Sequence, residues 1–256
     1  MEWSKSKTYL IIAFVITNVI LLVSIYFNNY YINDNFDKKS LINLSKLLSS
    51  KNITYNVSLN IQTRKMSPIE LQYSTIKDKN TKKLTSKYIN VLKIIDDVYI
   101  ELNLKSDISS NDYDRMLEYC RKFIKENFDE KKYKLKETYK EDKTAMFCYE
   151  ELYDNMFIEQ GYIKFIFSGD SDVDISIVKT KNINKVGKPI DTISNSEAVS
   201  KVISQMKPGD EIENIEIGYS RPQGWQDIDT RQIRLIPFWR IELKDGNFLY
   251  TEAVKN

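Results

Sequence analysis

Residues 9–27 read Tyr-Leu-Ile-Ile-Ala-Phe-Val-Ile-Thr-Asn-Val-Ile-Leu-Leu-Val-Ser-Ile-Tyr-Phe, a run with no charged side chain. At ~1.5 Å of rise per residue a helix of this length covers roughly 28 Å, close to the ~30 Å hydrocarbon core of a bilayer. Only Thr17, Asn18 and Ser24 are polar within it. Trp3 and Tyr9 stand at one end, and Tyr26, Phe27, Tyr30 and Tyr31 at the other, where amphipathic rings favour the headgroup level. The run predicts a single transmembrane helix over 9–27 and places the protein in a cell membrane.

Lys5 and Lys7 precede the run, whereas Asp34 and Asp37 come before the first cations after it, Lys38 and Lys39. By the positive-inside rule residues 1–8 form a cytoplasmic tail and everything beyond the span lies outside the membrane. A cleaved signal peptide is the competing reading. The apolar run exceeds the usual signal core, and no small-x-small cleavage site follows it, so an uncleaved anchor is expected.

Beyond the anchor the periodicity is that of a globular α+β protein. Leu41, Leu44, Leu47 and Leu48 have helical spacing within 36–50; Ile53, Tyr55, Val57, Leu59 and Ile61 then alternate as in a half-buried strand. Ile69–Ile76 reads as another strand, Lys77–Lys83 as a hairpin loop, and Tyr88–Leu104 as one or two strands. Met116, Leu117, Cys120, Phe123 and Ile124 share one helical face over 112–128, with Asn111 as a cap. Strands follow at Tyr133–Tyr139 and Ala145–Tyr149, which completes a membrane-proximal α+β domain over 28–155.

A second α+β domain is predicted over 156–256. It opens with strands at Tyr162–Phe167 and Val173–Val178. Ser194 and Glu197 form a capping box ahead of a helix carrying Ala198, Val199, Val202, Ile203 and Met206. Pro208-Gly209 stops that helix, and strands at Ile212–Tyr219, Ile233–Leu243 and Phe248–Ala253 close the chain around a Lys244-Asp245-Gly246-Asn247 turn. Each domain is thus expected to be an antiparallel sheet with a helix on one face.

The 38 Lys and Arg residues against 36 Asp and Glu give a net charge of +2, so nothing points to nucleic acid. There is no histidine, which removes the commonest general base and transition-metal ligand and any Ser-His-Asp device. The Ser-x-x-Lys motif of serine acyltransferases occurs at Ser4–Lys7, Ser74–Lys77, Ser176–Lys179 and Ser204–Lys207, without the later motifs that would complete such a site. Asp170, Asp172 and Asp174 imitate a calcium loop, but Ile175 replaces the required glycine and Lys181 the bidentate glutamate. Alternation with Val173, Ile175 and Ile177 reads instead as a strand with its acids in water. Cys120 and Cys148 are read as isolated buried thiols. The sequence predicts no catalytic residue, no metal and no cofactor. Within the span, Ala13, Thr17 and Ser24 share a face and Asn18 lies ~100° away. Small residues allow close helix packing and an Asn in hydrocarbon seeks a partner, so these four form the expected partner interface.

The opening Met1-Glu2-Trp3-Ser4-Lys5-Ser6-Lys7-Thr8, the span containing Asn18, the helix over 36–50 and Ile53-Thr54-Tyr55 resemble the YycI family. So do Pro237-Phe238-Trp239-Arg240-Ile241 and Lys244-Asp245-Gly246 before Tyr250 at the other end. The closing helix, strands and turn are also similar to PepSY modules. The YycI resemblance implies a non-catalytic membrane regulator of a WalK (YycG) sensor histidine kinase controlling cell-wall metabolism in Gram-positive bacteria. It further implies contacts with the kinase and with a sister protein, YycH. The alternatives are an anchored PepSY-like ectodomain that binds a ligand or inhibits a peptidase, and, with less support, a wall-modifying enzyme.

Overall fold

A computed structural model describes residues 12–23, 39–88, 92–95, 97–108, 112–141, 143–169, 172–222 and 231–255. The described residues form an α+β fold of five helices around one large curled sheet. The helices are α1 (12–23), α2 (39–50), α3 (Lys79–Lys87), α4 (Tyr113–Asn127) and α5 (Asn195–Val202). Among the described residues no helix is long and apolar enough to cross a membrane. Of the expected 9–27 span only 12–23 is described; Lys5, Lys7 and Ser24 lie outside the described residues.

The first strands are β1 (Thr54–Tyr55), β2 (Lys65–Met66), β3 (Ile69–Tyr73), β4 (Leu92–Ile95) and β5 (Tyr99–Lys105). Next come β6 (Tyr133–Glu141), β7 (Thr144–Tyr153), β8 (Met156–Ser168), β9 (Asp172–Val178) and β10 (Thr180–Lys185). The chain closes with β11 (Ile190–Asp191), β12 (Glu211–Ser220), β13 (Gln232–Leu243) and β14 (Phe248–Glu252). Twelve of them join in one sheet with the spine β10-β3-β13-β12-β8-β9-β5-β4, and β2 with β11 forms a separate pair. Two independent sheets were expected; instead β8 pairs β7 and β9 along most of its length and meets β12 at Tyr219 and Ile158.

Two apolar cores lie against this sheet. In the first, Leu44 and Leu48 of α2 and Ala198, Val199 and Val202 of α5 pack on Ile69, Leu71, Ile212, Leu235 and Ile241. In the second, Met116, Cys120, Phe123 and Ile124 of α4 pack on Ile100, Leu102, Phe147, Phe165 and Ile175. The second core is drawn from 84–177, a stretch that also lends Ile158 to the first core, whose other buried members come from 44–71 and 193–253. The boundary expected near Asn155 falls on the turn of the β7–β8 hairpin, where Asp154 and Asn155 both have positive φ. Two such residues in succession suit the tight turn whose twist matches paired strands.

Local departures have physical causes. Asp112, not Asn111, caps α4 by accepting from the Arg115 amide at 3.2 Å; Asn111 lies outside the described residues. The expected loop at 77–83 runs into α3, a helix too polar to show a stripe, which buries little beyond Thr81 and Leu84. The alternation over 53–61 gives only the short β1, because the following extended chain is held by side chains rather than by a second strand. Asn195 of α5 accepts from the Asn60 amide at 2.7 Å and donates to the Ser58 carbonyl at 2.9 Å. Ser194 does cap α5, accepting from the Glu197 amide at 3.2 Å.

One close approach in the sheet lies where β12 meets β8. A Cβ on Gly218 would come well inside 3.0 Å of the Phe157 ring and its carbonyl. Gly218→Ala should therefore destabilise the fold by about 3 kcal/mol, the upper range for overpacking, read as a lower urea midpoint with an unchanged slope.

Candidate functional site

Two polar features of the folded chain stand out, and both form where β8 bends. Opposite one step of β7, from Glu150 to Glu151, β8 moves from Tyr162 to Ile158, so residues 159–161 bulge. The bulge separates the part of β8 serving the first core, at Ile158, from the part serving the second, at Ile163.

The first feature is a charge network behind the first core. On β13, Trp239 and Ile241 face that core, so Arg240 points the other way. Its side chain is 1 % exposed. Arg240 donates to both oxygens of Glu150 at 2.5 and 2.7 Å and to Glu216 at 2.6 Å. Glu159 in the bulge lies 3.5 Å from the same guanidinium, accepts from Tyr250 at 3.1 Å and pairs with Lys136 at 2.5 Å. Lys134 completes the set at 2.9 Å from Glu216. The guanidinium lies 4.1 Å from the centre of the Phe157 ring, which itself packs on Gly218.

These groups share one chemical role. Burial pushes the Glu150 carboxyl above its ordinary value against the pull of Arg240. Burial also acts on Glu216, but the bonds from Arg240 and Lys134 prevail and hold it below the ordinary range. Arg240 is disfavoured by burial and still raised overall by Glu150 and Glu216, so it stays charged. Each carboxylate is committed to a cation. The network holds the β6–β7 hairpin over the reverse face of β12, β13 and β14.

The second feature is a polar cleft of about 1000 Å³ bordered by α3, the end of α4, the 3-10 turn Glu130–Lys132, the β7–β8 turn and β10. Glu151 lies at its base, 4 % exposed, accepting from the Thr180 amide at 2.9 Å and the Thr180 hydroxyl at 2.6 Å. Gly161 makes this possible: a Cβ there would sit 2.8 Å from a Glu151 oxygen. Burial pushes the Glu151 carboxyl above its ordinary value of 4.5, opposed by the Thr180 bonds and by Lys179 and Lys132.

A model of the YycI protein family matches residues 33–254. The chain belongs to the YycI family. No curated protein matches it. YycI proteins are regulatory accessory proteins associated with the YycG sensor kinase of the YycFG, or WalKR, two-component system.

Against that family role, the structure distributes the sequence-predicted residues as follows. Ala13, Thr17 and Asn18 lie on α1, exposed to a surface that no other described element covers, and the Thr17 hydroxyl donates to the Ala13 carbonyl at 2.8 Å. Asp172 pairs with Lys105 at 2.5 Å and Asp174 accepts from Asn103 at 2.7 Å, while Val173, Ile175 and Ile177 are buried, which is the acidic-faced strand. Asp170 lies outside the described residues, and among those described no three metal-ligating side chains gather. Cys120 and Cys148 are buried free thiols, and burial raises Cys148 to about 11. Trp239 is a core residue whose indole donates to the Ile193 carbonyl at 3.0 Å. Neither the Arg240 network nor the cleft was found from sequence. The signal available was a charged residue, Arg240, directly after the apolar run Leu235–Trp239 and before Ile241.

Two predictions follow from these groups. Arg240→Met leaves Glu150 and Glu216 without their buried cation and should cost about 3–5 kcal/mol. Adding Glu150→Gln should recover part of that loss, measured as a double-mutant cycle by urea unfolding. Glu151 has the opposite sign from a paired surface acid. Its ionised form weakens the fold above its raised folded value, and that cost is relieved as pH falls towards 4.5. In Glu151→Gln the amide oxygen still accepts from the Thr180 amide, and the Thr180 hydroxyl can turn to accept. The variant should match or exceed the parent's stability at pH 7.5 and show a flatter stability profile from there down to 4.5.

Proposed function

We propose that this YycI protein is a non-catalytic, single-pass membrane regulator of a WalK-type sensor histidine kinase. In this reading residues 1–8 lie in the cytoplasm, 9–27 span the membrane and the folded part lies outside. The observation that carries the reading is α1. Its described residues are exposed on every side, including Phe14, Ile16, Ile20, Leu21 and Leu22. A helix that is apolar all round is stable when buried in protein or in lipid, and no described part of this chain covers it. Such a helix gains nothing from hydrophobic association once in a bilayer, so close packing and interhelical hydrogen bonds must select its partner. Ala13, Thr17, Asn18 and Ser24 supply small surface and polar groups for that purpose. The Thr17 hydroxyl is already bonded to Ala13, so Thr17 contributes shape and Asn18 the hydrogen-bonding group. The partner helices belong to the kinase and to a sister regulator of the YycH type, and the output is control of cell-wall metabolism.

Two measurements test this reading. A C-terminal alkaline phosphatase fusion should be active and stay in the membrane fraction in high salt; a soluble secreted form lacking the apolar run would overturn it. Thr17→Leu with Asn18→Leu should insert and fold normally yet lose most co-purification with the kinase in nanodiscs. Full co-purification and normal signalling by this double variant would move the contact to the folded part beyond the span.

A further inference from the structure

The cleft above Glu151 has a charge pattern that stability does not require. Five carboxylates line it, and each already has a partner. Asp78 pairs with Lys181 at 2.6 Å, Glu126 with Lys87 at 3.5 Å and Asp154 with Lys185 at 3.2 Å. Asp129 accepts from the Lys131 amide at 3.3 Å, and Glu151 is held by Thr180. Lys79, Lys83, Lys131 and Lys132 also line the cleft and make no ion pair among the described residues. Lys179 at the base stacks 5.5 Å from the centre of the Phe128 ring, and burial lowers its pKa. Three of these charges, Lys79, Lys83 and Lys131, therefore face the concavity without acids of their own, while Lys132 and Lys179 share the buried Glu151. Such an arrangement repels itself, and low-dielectric walls focus its field on the space enclosed.

The donor chemistry narrows what that space accepts. Among the described residues all the lining cations are lysines and no arginine lines the cleft. Planar carboxylates are read best by the forked guanidinium, whereas lysines act as point charges on phosphate oxygens. Tyr133, another lining residue, has a buried hydroxyl with no hydrogen-bond partner among the described residues, and it can donate to such an oxygen. A volume of about 1000 Å³ exceeds what one phosphate fills. We propose that the cleft binds a chain of linked phosphate groups, with Lys79, Lys83, Lys131 and Lys132 around the ligand and Lys179 beneath it.

This proposal is independent of the anchor and of the kinase contact, and a binding measurement on the full chain in nonionic detergent tests it. Long-chain inorganic polyphosphate is the probe, with orthophosphate and polyglutamate of matched charge beside it. Polyphosphate should bind and raise the melting temperature, and both orthophosphate and polyglutamate should bind more weakly by about tenfold or more. Lys83→Glu with Lys131→Glu should weaken polyphosphate by at least about tenfold, while Lys46→Glu with Lys201→Glu, remote from the cleft, should not. Tyr133→Phe removes a hydroxyl that makes no hydrogen bond among the described residues, so it should leave unliganded stability unchanged and still weaken binding. No polyphosphate binding, equal binding of polyglutamate, or undiminished binding by the Lys83/Lys131 variant would each overturn the proposal.

Discussion

The buried guanidinium of Arg240 constrains the strands around it. Removing a charge from water costs several kcal/mol even after relaxation, and the cost is met only if opposite charges and hydrogen bonds arrive with good geometry. Here they arrive from far along the chain: Glu150 on β7, Glu159 on β8 and Glu216 on β12, with Lys134 and Lys136 of β6 balancing the acids. A regular β8 would not bring Glu159 to this point while keeping its ladder to β7. The three-residue bulge does so, and Gly218 lets Phe157 settle against β12 with the guanidinium over its ring. Bulge, glycine and ion network form one solution to the problem of turning a sheet between two cores.

That solution also fixes what can move relative to what. Leu44 and Leu48 tie α2, the helix nearest in sequence to α1, to the first core. The second core falls largely between the chain segments 44–71 and 193–253 of the first, which also takes Ile158 from β8, and it is joined to the first by the continuous sheet and by the Arg240 network. The cleft borders the second core, next to Glu151, one residue from the Arg240 partner Glu150. Anything that presses on that hairpin acts directly on the joint between the cores.

Much of the secondary structure was legible because local patterns were unopposed. The stripe Met116, Cys120, Phe123 and Ile124 forms the buried face of α4, and Ser194 caps α5 as its spacing predicts. The acids of β9 alternate with buried Val173, Ile175 and Ile177. Reading failed where tertiary partners replaced local ones. The extended chain after β1 satisfies its backbone on Asn195 and Thr192 instead of a strand. Helix α3 forms with hardly any apolar face, so periodicity could not reveal it.

By itself the sequence determined the family, the α+β class and which strands have one face in a core, because these depend on side-chain order along the chain. Tertiary structure decided that the sheet is continuous, how the two cores divide the chain, and that Glu150 and Glu151 face different partners. The reason is distance. Glu150 and Arg240 are 90 residues apart and Glu151 and Thr180 are 29 apart, and no local pattern encodes which remote charge will meet a carboxylate once water has been excluded.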